Sequence, residues 1–95
     1  MPEMHFIIRW PDGTAQACYS PSLVVKEFLA QGTIYPVAVF LERSRSALTI
    51  ASERVEAKYG RGCSRAMSQL AQIEAAACAF SNVAGACVTV EAIEE

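Results

Sequence analysis

From Met4 to Trp10 the side chains alternate, Met4, Phe6, Ile8 and Trp10 facing one way and His5, Ile7 and Arg9 the other, as a half-buried strand requires. The run Pro11-Asp12-Gly13 then predicts a tight hairpin with a bulge, because proline presets φ and glycine accepts a left-handed conformation. A second strand over about Thr14–Tyr19 returns beside the first. Ser20 and Pro21 are read as an N-cap and first helical position, opening a short helix through Leu29 that turns Leu23, Val24, Phe28 and Leu29 inward, with Gly32 closing it.

Tyr35 before Pro36 is biased to extended geometry. Beyond it Val37, Leu41, Ser44, Leu48, Ala51, Val55 and Tyr59 recur at helical spacing, which predicts a helix over Pro36–Tyr59. Glu42, Arg43, Arg45, Glu53, Arg54, Glu56 and Lys58 fall off that stripe and form a solvated face. A further helix over Ser64–Phe80 carries Met67, Leu70, Ile73, Ala77 and Phe80, and its many alanines suggest near-complete burial. In the last segment Val88, Val90 and Ala92 alternate with Thr89, Glu91 and Ile93, a third strand.

The order is therefore β-β-α-α-α-β, an α+β fold. The first strand is expected in the centre of a three-stranded sheet, flanked by its hairpin partner and the last strand, with helices over the Phe6, Ile8, Trp10 face. The other face, with His5, Ile7, Arg9, Gln16, Cys18, Thr89, Glu91 and Ile93, is mixed in character. That face or a free sheet edge offers a route to a homodimer.

Ninety-five residues fit a single domain over 1–95. A net charge of −2 without a charged block argues against bulk attraction to nucleic acid or anionic lipid. No apolar run approaches the roughly 18 residues of a membrane span. The MPEMHF start lacks a secretory pattern, so a cytoplasmic location is expected.

Cys18, Cys63, Cys78 and Cys87 never stand as a CxxC pair, and His5 is the only histidine, so no metal or cofactor is expected. Reduced thiols are the default for such a chain, with Cys78 and Cys87 read as small buried hydrophobes.

The densest chemistry lies in YGRGCSRAM, Tyr59–Met67. Gly60, Arg61, Gly62, Cys63, Ser64 and Arg65 could hold an anion, or lower a thiol pKa, at the start of the third helix. They could equally be a sharp corner between two helices. Complete catalytic sets are missing around Cys63: Gln69 stands where a thiol phosphatase would need arginine, no Gly-Lys-Ser/Thr triplet occurs, and His5 lies on a distant strand. His5 could instead meet Glu91 across the sheet. Helix, glycine turn and helix also outline a helix-turn-helix with Arg65, Gln69 and Gln72 as base readers, a remote option for so apolar a helix. Tyr19 and Ser20 could touch a ligand, although strand end and helix cap account for them.

RWPDG (Arg9–Gly13), CYSPSLVVK (Cys18–Lys26), SALTIASERV (Ser46–Val55) and YGRGCSRA (Tyr59–Ala66) together resemble the mycobacterial-type nitrogen starvation response proteins, over essentially the whole chain. Members of that family are encoded beside a nitrilase, a radical SAM protein, an acetyltransferase and a flavin-dependent oxidoreductase. The resemblance implies an accessory role in nitrile nitrogen assimilation, and no catalytic residue comes with it. The leading expectation is a non-enzymatic protein that binds a pathway enzyme. The alternative is a protein that binds a small anion, or a thiol-dependent enzyme, using the Gly60–Arg65 corner at the start of the third helix.

Overall fold

The computed structural model describes residues 3–95; Met1 and Pro2, part of the start read for a leader, lie outside them. Strand β1 (Met4–Arg9) and strand β2 (Ala15–Ser20) form the expected antiparallel hairpin. Gly13, at φ 90°, donates to the Trp10 carbonyl at 2.9 Å, while the Trp10 N–H reaches the Thr14 carbonyl at 2.8 Å, which makes the bulged turn.

That turn sets the register, pairing Phe6 with Cys18 and Ile8 with Gln16. Cys18 is therefore buried beneath the helices and Gln16 accepts from the Trp10 indole N–H at 2.8 Å. The expectation that both lie on the outer face is corrected: Ala15, Ala17 and Tyr19 take those places. In a pleated pair the partner of an inward residue also faces inward.

Helix α1 is shorter than its Ser-Pro start suggests, spanning Val25–Phe28. Ser20 remains in β2 opposite Met4. Its Oγ donates to the Ser22 carbonyl at 2.8 Å and accepts the Ser22 N–H at 3.2 Å. The serines make a turn here and do not cap a helix. The helix ends at Leu29, and Gly32, at φ 81°, belongs to the following turn.

A fourth strand that the pattern did not predict, β3 (Ile34–Pro36), pairs with the last strand, β4 (Cys87–Glu94). The sheet thus has four antiparallel strands in the order β2-β1-β4-β3, and three strands is corrected to four. The first strand keeps its two expected neighbours, and β4 becomes interior as well. Three residues are too few to show alternation; what holds them extended is pairing with distant Thr89, Val88 and Cys87.

The β1–β4 register shifts between Ile7 and Ile8: Ile8 pairs with Val90, Ile7 with Ala92 and Phe6 with Ile93. One extra residue on β4 reverses the alternation beyond it, so Ile93 packs against the core and Ala92 falls opposite outward Ile7. The reverse had been expected.

Helix α2 (Val37–Tyr59) buries Val37, Ser44, Leu48 and Ala51 of the stripe, together with Phe40 and Ala47, but Tyr59 is exposed. Helix α3 (Ser64–Cys78) is half-exposed where near-complete burial was expected: Leu70, Ile73 and Ala77 face the core, while Met67, Ala71 and Ala75 face outward. It packs mainly on α2 and on the β2 edge. Phe6, Ile8, Trp10, Phe40, Leu48 and Ile73 centre one core between the helices and one sheet face. Among the described residues no helix is long and apolar enough to cross a membrane.

Candidate functional site

The α2–α3 elbow is built from backbone requirements. Gly60 ends α2 at φ 86°, with its N–H on the Glu56 carbonyl at 2.8 Å, a left-handed cap that side chains resist. Gly62 passes so close to α2 that a Cβ would stand 2.8 Å from the Ser52 Oγ. The same oxygen accepts the Cys63 N–H at 3.0 Å.

Cys63 is the N-cap of α3, and its Sγ accepts the Ala66 N–H at 3.4 Å. The thiol thus does the work usually given to a serine or aspartate oxygen. Arg61 and Ser64 are exposed beside it. Of the six corner residues, Arg65 lines a cavity.

The Arg65 guanidinium lies over the Tyr19 ring, 3.8 Å from its centroid, and 3.9 Å from the Glu3 carboxylate. Tyr19 in turn meets the His5 ring edge-on at 5.8 Å. Partial burial raises the Tyr19 phenol pKa, Cys63 and Glu3 add to that, and Arg65 opposes it. Glu91, expected to face His5, instead accepts two bonds from Arg9, at 2.9 and 3.1 Å; His5 stands opposite Glu94. The Arg9 guanidinium holds the Glu91 carboxyl below its usual range.

Gln69 comes from α3 to the outer edge of β2, where its Oε1 accepts the Tyr19 N–H at 3.0 Å. This satisfies a strand-edge donor that no fifth strand pairs. It also buries Gln69, so the residue cannot read a base as a helix-turn-helix would need. His5, Tyr19, Arg65, Ser68, Gln69 and Gln72 gather around a cavity of about 270 Å³. Arg65, Gln69 and Gln72 fall at helical spacing on one face of α3, a signal present in the sequence, but the strand they face is decided by packing.

A larger groove of about 600 Å³ opens at the other end of α3, lined by Val37, Leu41, Ala77, Phe80 and Val83, with the Arg45–Glu74 ion pair, at 2.8 Å, among its lining residues. Cys78 is exposed and Cys87 half-buried, and both line this groove, correcting their reading as buried hydrophobes. All four thiols are free. Among the described residues no three His, Cys, Asp or Glu side chains converge as a metal site would need.

No curated protein and no solved structure matches the chain. A family model described as nitrogen starvation-induced protein NitG matches residues 5–93, almost the full length, and the chain belongs to that family.

Proposed function

We propose that the protein is a non-enzymatic accessory component of a nitrogen starvation response, acting in the cytoplasm by binding an enzyme of a nitrile-nitrogen pathway. The observation that carries this reading is the open groove along Leu41, Phe80 and Val83, the latter 51% exposed. Its apolar lining suits an aliphatic or aromatic anchor of a protein partner, and the Arg45–Glu74 pair supplies polar contacts beside it. The elbow chemistry supports the same reading, because the Cys63 amide ties the elbow to Ser52 of α2 and its sulfur is engaged in capping α3.

The test is affinity capture of tagged protein from nitrogen-starved cells. A pathway enzyme is expected with the native sequence and with Cys63→Ser, and its loss is expected with Leu41→Glu. A chain recovered alone under every nitrogen regime would overturn the reading. Native mass measured on the same preparation separates a self-associated dimer from a complex with another protein.

A further inference from the structure

We infer that the cavity between β2 and the first half of α3 binds a small carboxylate anion, held by Arg65 and the side-chain amide of Gln69. Of the residues that line it, His5, Tyr19, Arg65, Ser68, Gln69 and Gln72 each have a side-chain N–H or O–H to donate and Ala17 is apolar; the nearby carboxylate, Glu3, stands outside the lining, 3.9 Å from Arg65. At about 270 Å³ the space suits a compact metabolite.

Gln69 is the main observation. The residue is only 8% exposed, and its Oε1 is committed to the Tyr19 N–H at 3.0 Å, which orients the amide. Its Nε2 is then buried with no acceptor. Capping the strand edge explains the oxygen of this amide and leaves the nitrogen unexplained. Buried donors are normally paired, and a small shift of the Gln69 side chain toward the cavity it lines would bring this one to an acceptor supplied by a ligand.

Arg65 supplies the charge. It makes no hydrogen bond among the described residues, and Glu3, at 3.9 Å, is beyond hydrogen-bond length. The guanidinium lies over the Tyr19 ring and presents a fork that matches a carboxylate, and a bound anion would compete there with the exposed Glu3 carboxylate. Ser68 and Gln72 share the same helix face and extend the row of donors. Arg65 is the only formal cation in the lining, which favours a monoanion over doubly charged phosphate. The site is separate from the apolar groove, so this inference stands or falls independently of the partner-binding reading.

Titration of the isotopically labelled full chain with sodium acetate, sodium pyruvate, inorganic phosphate and neutral acetamide, followed by amide NMR, tests it. Saturable movement of the Gln69 side-chain resonances is expected with at least one carboxylate, with a Kd of about 1 mM or tighter. Arg65→Gln should weaken that binding about tenfold or more, while Arg61→Gln, outside the cavity, leaves it unchanged. Gln69→Glu keeps an acceptor for the Tyr19 N–H but replaces the donor, and binding should be lost; if that variant does not fold, the Arg65→Gln comparison decides. Absence of saturation on the folded native chain, tighter binding of phosphate, equal response to acetamide, or equal loss with Arg61→Gln would each overturn the inference.

Discussion

Trp10 and Phe80 are stacked, with ring centroids 5.9 Å apart and planes 14° from parallel, which joins the end of β1 to the turn after α3. Trp10 also meets the edge of Phe40 at 5.7 Å. The only tryptophan of the chain thus reports on contact between sheet and helices. Phe80→Ala should lower stability by about 2–3 kcal/mol, at the low end for an aromatic truncation because the ring is half-buried. Denaturant melts would measure the loss, and native-state emission should shift to the red as water reaches the indole.

At the elbow, Gly62→Ala forces the Ser52 Oγ to move away from the Cys63 N–H, a loss of about 1–2 kcal/mol. Ser52→Ala removes both that hydrogen bond and the obstructing oxygen. The double variant should therefore be less destabilised than the sum of the singles, and a double-mutant cycle measures the difference.

Cys63→Ser should keep α3 capped and leave stability nearly unchanged, while Cys63→Val should cost about 1 kcal/mol. In cells, the serine variant should grow normally under nitrogen starvation. A starvation defect with the serine variant but normal stability would indicate thiol chemistry.

Burial pushes the Cys18 thiol up from its ordinary 9.0 to about 12. The folded state holds its proton where the unfolded chain has released it, so this contribution is intact below pH 9 and is lost as pH rises from 9 to about 12. The full loss is of order 3–4 kcal/mol. Denaturation followed from pH 8 to 11 should show a steeper fall for the native sequence than for Cys18→Ala. In the folded protein, iodoacetamide should label exposed Cys78 before buried Cys18.

Much of the architecture is readable locally. The alternation of Met4 to Trp10, the Pro11-Asp12-Gly13 turn, the stripe from Val37 through Ala51, and the glycines around Cys63 each specify backbone geometry through neighbours a few residues away. The Ser20-Pro21 pair misleads for the same reason: a serine before a proline suits a helix start, but pairing with Met4 holds Ser20 in the strand and its hydroxyl closes a turn. The candidate cavity is half legible. Arg65, Gln69 and Gln72 share a helix face on any count, but their meeting with Tyr19 and His5 depends on where α3 comes to rest.

By itself, then, the order of residues determined the hairpin, the two long helices, the elbow between them and the apolar face of β1, because steric limits and side-chain periodicity act over short separations. Tertiary structure alone decided the fourth strand at Ile34–Pro36, the inward turn of Cys18 and Ile93, and the strand edge closed by Gln69. Those features rest on register and hydrogen bonds between segments far apart in the chain, and a shift of one residue in pairing moves a side chain from one face of the sheet to the other.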